Sequence, residues 1–199
     1  MDSKDLAMEA LSLACVQHNI LHKYTENPSY TKPSPLATTS LRDLIEKLSQ
    51  DNRLSSADSF SYSQLETLFE KHEDVILEYW NAWDIQNATK QFEQSQEAAV
   101  SMLVAAAKPG SYKFSLAHIL TTNHAVRTLL PHVPNKFHIV LLRQWWLLAL
   151  VVYVLNGRPA LDQANVTSQV DGREWTFVAD RALNSQWRND SHYVKGMSL

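Results

Sequence analysis

The stretch that most limits the folds open to this chain is WWLLALVVYVL, Trp145 to Leu155, eleven residues without a charge. Such a run is too apolar to lie on a surface. It is also shorter than the about 20 apolar residues a membrane-spanning helix needs, and Arg143 and Gln144 separate it from the apolar IVLL upstream. A helix enclosed by other helices satisfies both limits. The rest of the chain agrees. Gly is scarce, at 4 in 199 residues, and apolar residues recur at three- and four-residue spacing with little strict alternation. The pattern predicts an all-α fold: a bundle-like array of seven to eight helices around an apolar central helix, forming a single domain over residues 1–199.

The same spacing places helices over about 5–24, 41–48, 64–79, 85–107, 112–130, 136–156 and 174–183, with a terminal helix opened by Asp190 and Ser191. The Pro-, Ser- and Thr-rich stretch 25–39 reads as a linker, and DNRLSSADSFSYS as a polar loop. NGRP ends the central helix, because Gly157 can take the left-handed conformation past a helix end and Pro159 blocks continuation.

The net charge of −3 and the absence of a Lys/Arg cluster argue against nucleic acid or a membrane surface as a partner. The one cysteine, Cys15, has no partner for an internal disulfide and is expected to be a buried thiol. The opening MDSKDLAMEA carries acids and no apolar core of a signal peptide, so a cytoplasmic location is expected.

Of the eight histidines, His18 and His22 stand four apart, so a continuous helix would put them on one face. That spacing can bind metal, but no HExxH pattern accompanies it. His118 lies among Phe114, Leu116, Ala117 and Ile119, with Thr121 and Thr122 one turn on, where they could orient the imidazole. A core histidine bonded to a neighbour and a functional one both fit that pattern. His192 and Lys195 stand three apart at a helix start. A solvated pair on a frayed tail fits. So does a buried lysine that loses its proton and takes up carbon dioxide as a carbamate, an oxygen ligand suited to iron. The chain has no Gly-rich phosphate loop and no G-x-G-x-x-G, so no NAD or flavin site of Rossmann type is expected. It has no G-x-S-x-G hydrolase motif and no cysteine cluster for zinc.

Four stretches, in order, resemble the questin oxidase-like family of fungal secondary metabolism. MEALSLACVQHN is similar to a family helix of the form EALAxAAVH. KFSLAHILTTNHAVRTLLPHV resembles DFFLMHxVTSxxFLPxLL, with His118 and Thr121 on the family's His and Thr. LLRQWWLLALVVYVLNGRPAL resembles LLRxxxxxxLxxYxxRGRPxL, matching at Arg143, Gly157, Arg158 and Pro159. NDSHYVKGMSL resembles DxHxxKxxRxL, with His192 and Lys195 in place. The set is similar to the second half of family members, and the HNHxxHH and HPxIHxGYGxE segments of the first half are missing.

The resemblance implies an oxidoreductase, or a subunit of one, that remodels aromatic polyketides such as anthraquinones. It implies a non-haem iron held by histidines and a carboxylated lysine: His118, Lys195 and His192, the last as ligand or as a residue behind the ligands. Thr121, Trp145, Trp146 and Tyr153 would then meet an aromatic substrate, although a plain core is the more common use of such aromatics. No catalytic residue is assigned. A partner chain supplying the missing histidines, or a homodimer, would complete the site. The competing reading is a non-catalytic degenerate homologue that binds a small molecule or dimerises through apolar surface. A third is a metal-free cyclase or isomerase with His118 as base.

Overall fold

The computed structural model describes residues 4–17, 19–59, 61–106, 113–170, 172–190 and Tyr193. The chain forms two compact units, residues 1–32 and 33–199, and the boundary falls inside the stretch expected to be a linker.

The first unit holds helices α1 (Lys4–Val16) and α2 (Ile20–Glu26) and a 3-10 turn at Pro28–Tyr30. One helix was expected over this span. It is broken because Asn19 starts a new one: its side-chain oxygen accepts from Leu21 N at 2.9 Å, while Nδ1 of His22 accepts from Asn19 N at 3.1 Å. This reciprocal cap satisfies amides that a helix start otherwise leaves orphaned. His22 therefore lies in the first turn of α2 and does not continue α1; His18, its expected neighbour, lies outside the described residues. The Tyr24 and Tyr30 rings meet edge to face at 4.9 Å, with the Lys23 ammonium over both. Every residue of α1 is exposed, and Cys15 is an exposed thiol rather than the buried one expected.

The second unit is built from α3 (Leu41–Gln50), α4 (Leu65–Ala82), α5 (Ala88–Val104), α6 (Phe114–Leu129), α7 (His138–Leu155), α8 (Gln163–Val170) and α9 (Trp175–Asn184). α8 falls where the sequence predicts only a loop. Among the described residues there is no strand, only one bridge between Thr38 and Trp83. α3 forms where expected: Ser40 Oγ accepts from Asp43 N, and Leu41, Leu44, Ile45 and Leu48 are buried at i, i+3, i+4, i+7. The expected polar loop after it is a 3-10 stretch, Asn52–Ser59, that buries Leu54 and Ala57.

α7 is the centre of this unit and packs on α4, α5, α6 and the Asn52–Ser59 stretch. Eleven of its residues are buried. The segment Asn135–Leu155 is long and apolar enough to cross a membrane by length and composition, yet most of it is covered by protein, as expected for an enclosed helix. Its polar atoms are spent inside. Trp146 Nε1 donates to Tyr79 O at 3.1 Å, and Trp80 Nε1 on α4 donates back to Arg143 O at 2.9 Å. The Arg143 guanidinium lies 4.2 Å from the Trp80 ring centroid and donates to Asn81 Oδ1 at 3.0 Å; burial lowers its pKa.

The end of α7 is a sharp turn. Gly157 and Arg158 have φ of +80° and +46°, a region that glycine enters freely and arginine enters at a cost. What holds Arg158 there is its guanidinium. Nη1 donates to Leu48 O at 2.9 Å and Asp51 O at 2.6 Å, adding a charged second donor to carbonyls that already accept from Asp51 N and Leu54 N past the end of α3. Tyr153 OH donates to Pro159 O at 2.5 Å, and burial pushes its pKa up. Nearby, Arg53 bridges Asp51 and Glu78 at 2.6 and 2.9 Å. Its hydrogen bonds hold the Asp51 carboxyl down at about 2, and burial pushes Tyr79, which donates to Asp51, up to about 12.

Candidate functional site: a histidine presented by α6

α6 buries Leu116, Ile119, Asn123 and Val126 and turns His118 outward. The helix is pinned at three levels. At its start, Lys113 Nζ donates to Asn156 O at 2.8 Å, and Ser115 Oγ donates to Asn156 Oδ1 at 2.7 Å, tying it to the end of α7. In the middle, Trp145 Nε1 donates to Ile119 O at 3.2 Å. Further on, the buried Asn123 Nδ2 donates to Ser95 Oγ on α5 at 2.8 Å, and that hydroxyl donates to Phe92 O. A side chain on such a helix is held by backbone fixed on several sides, as precise sites require.

The imidazole has a defined orientation. Its Nδ1 lies 3.1 Å from Phe114 O, one turn back, and its ring meets the Phe114 ring edge to face at 4.8 Å. A carbonyl only accepts, so Nδ1 carries the proton and Nε2 carries the lone pair. The threonines do not orient the ring. Thr121 Oγ1 and Thr122 Oγ1 both donate to His118 O, at 3.2 and 2.7 Å; their hydroxyls close on the helix backbone.

Trp145, Trp146 and Tyr153 take a different place from the one expected. They are buried at 3%, 0% and 0% exposure, and each polar atom bonds protein. They form core with Trp83, whose ring lies 6.4 and 6.2 Å from Trp145 and Trp146, instead of a face for substrate. Trp145 still reaches the site indirectly, since the carbonyl it holds belongs to the residue after His118. His192 and Lys195 lie outside the described residues. Asp190 Oδ1 accepts from Tyr193 N at 3.0 Å, the kind of bond a capping aspartate makes; Ser191 also lies outside the described residues. Asn156, Asn123 and Ser95 were not singled out from the sequence. Asn123 could have been, since a polar residue interrupts the apolar stripe of 116, 119 and 126.

The donor chemistry of His118 suits a metal. A ligating histidine ordinarily gives its other ring N–H to a carbonyl or carboxylate, and Phe114 O is such an acceptor. Yet among the described residues no group of three His, Cys, Asp or Glu side chains could hold a metal ion. Two other histidines have bonds that narrow their use. His124 Nδ1 lies 2.6 Å from Arg127 Nη2 and accepts from it, which puts the ring proton on Nε2. His138 Nε2 donates to Val133 O at 2.8 Å.

Fold and site together define the class: a helical protein with an enclosed apolar helix and, on the helix beside it, an outward histidine of fixed tautomer. The model of the questin oxidase-like family matches residues 1–197, and the chain belongs to that family, an oxidoreductase-like assignment. No curated protein and no solved structure matches it.

Proposed function

We propose that the chain is an oxidoreductase, or a subunit of one, that acts on an aromatic polyketide with a non-haem iron held in part by His118. The observation that carries this reading is the His118 tautomer: Phe114 O holds the Nδ1 proton and leaves the outward Nε2 as a donor atom. Lys195, as a carbamate, and His192 are the further ligands proposed by family resemblance. Bound iron would supply the activation of oxygen. The protein's own part at His118 is to hold the ring by Phe114 and the helix by Trp145, Asn156 and Asn123. The test is the iron content of the purified chain by elemental mass spectrometry, beside His118→Ala and Lys195→Ala. Iron retained by the wild type and lost from both variants supports the reading. Unchanged iron in Lys195→Ala removes the carbamate, and unchanged iron in His118→Ala removes the site.

One observation favours a second reading, a non-catalytic helical protein that associates through apolar surface. Leu6, Met8, Leu11, Leu13 and Val16 of α1 are each more than half exposed. A helix apolar over most of its circumference is ordinarily covered. A metal-free chain that sediments as a dimer, and as a monomer after Leu6→Ser and Leu13→Ser, would favour this reading over the first.

A further inference from the structure

The whole-chain charge conceals an asymmetry. Residues 98–161 contain no Asp or Glu but hold six of the 18 Lys and Arg, whereas the rest of the chain sets 12 cations against 21 acids. The acid-free stretch includes all of α6 and α7. These helices pack on each other and are joined by the short connection 130–137. At this tip, apolar side chains stand in solvent: Leu129, Phe137, Ile139 and Val140 are 47%, 46%, 41% and 44% exposed. Among them stand Arg127, His132 and Lys136, all exposed. The Arg127 guanidinium meets His124, and the Lys136 ammonium sits 4.9 Å from the Phe137 ring centroid. Among the described residues, neither cation has a carboxylate partner.

We infer that the α6–α7 tip is a docking surface for an anionic lipid bilayer. Cations beside exposed aromatic and aliphatic side chains are the two components of interfacial attachment: the apolar groups enter the acyl boundary and the cations meet headgroup charge. The Lys136 ammonium lies over the Phe137 ring, so a charge and an apolar face are presented together. Charge complementarity selects an anionic surface. The exposed apolar groups sit at a helix-to-helix turn rather than in a groove, which favours a bilayer over an acidic polypeptide. This inference is independent of the iron reading and has a separate test.

The full chain is sedimented with vesicles of phosphatidylcholine alone and with vesicles containing phosphatidylserine, at low and high salt. The expected result is binding to the anionic vesicles that falls at least tenfold without phosphatidylserine, and likewise at high salt, where charges are screened. Two variants then separate the components. Arg127→Glu with Lys136→Glu, and Phe137→Ser with Ile139→Ser, should each lower the partition coefficient at least tenfold, with helical content by circular dichroism unchanged because all four side chains are exposed. Absence of vesicle binding overturns the inference. So does vesicle binding that both double variants retain, since it would belong to another apolar surface. Binding of polyglutamate in place of vesicles also overturns it and makes the partner an acidic polypeptide.

Discussion

α6 and α7 lie side by side and both carry residues of the family pattern, yet they use them in opposite ways. On α7 the matching positions are architecture: Arg143 clasps α4, and the turn at Gly157, Arg158 and Pro159 closes the end of α3. On α6, Thr121 closes on the backbone while His118 faces outward with one ring nitrogen uncommitted to protein. Matching a family motif therefore has two physical origins in this chain, a fold that must close and a side chain that must be presented. The same division separates stability from chemistry.

The strongest way to break the comparison is on α7. Trp146→Ala removes a fully buried indole and its hydrogen bond to the Tyr79 carbonyl, so unfolding free energy should fall by about 3–5 kcal/mol in denaturant titrations. A loss as small as that of a surface substitution would mean α7 is not the core. Arg158→Ala comes next, at about 2–3 kcal/mol, because the Leu48 and Asp51 carbonyls lose their charged donor. Arg158→Gly should be less damaging than Arg158→Ala by about 1 kcal/mol, since only the alanine keeps the left-handed penalty. Equal losses would deny the backbone strain at this turn. Tyr153→Phe should cost about 1 kcal/mol for the hydrogen bond to Pro159 O. Burial raises the Tyr153 pKa, so the wild-type stability is intact below the ordinary tyrosine value of 10 and falls as pH rises above it. The difference between wild type and Tyr153→Phe should shrink in alkaline melts.

On α6 the effect should be smallest for stability. His118→Ala removes an exposed side chain, and melting should move by no more than about 0.5 kcal/mol equivalent, even where iron content changes. A large destabilisation would place His118 with the architecture of α7. A further pH test concerns Asp51, whose pKa is lowered to about 2 by Arg53 from an ordinary value of 3.8. Its contribution is complete above pH 3.8 and is lost as pH falls toward 2. Acid melts of wild type and Asp51→Asn should therefore converge in that window.

The fold was legible where one physical cause dominates. The uncharged run Trp145–Leu155 had nowhere to go except the inside, and Ser40 followed by apolar residues at helical spacing gave α3 without ambiguity. The break before α2 was not legible from apolar spacing, because the competing signal was the side chain of Asn19 and its bond partner at His22. The buried Leu54 was hidden in a polar stretch, since a single apolar residue sets no period. At the site, the motif placed His118 but not its surroundings. The roles of Trp145 and the threonines depend on which backbone carbonyl each reaches, and no spacing rule specifies a partner 26 residues away.

The Arg158 clamp also bears on the order of folding. Its guanidinium reaches the end of α3 from 110 residues further along the chain, so two carbonyls at the end of an early helix gain their charged donor only once the end of α7 has been made and docked. On a ribosome, α3 would emerge long before that clamp could close. Contacts of such separation are slow to form, because chain entropy is lost before they repay it. The amides of Asp51 and Leu54, which share those two acceptors with Arg158, should exchange faster with deuterium when α7 undocks, so that segments distant in sequence share one opening event.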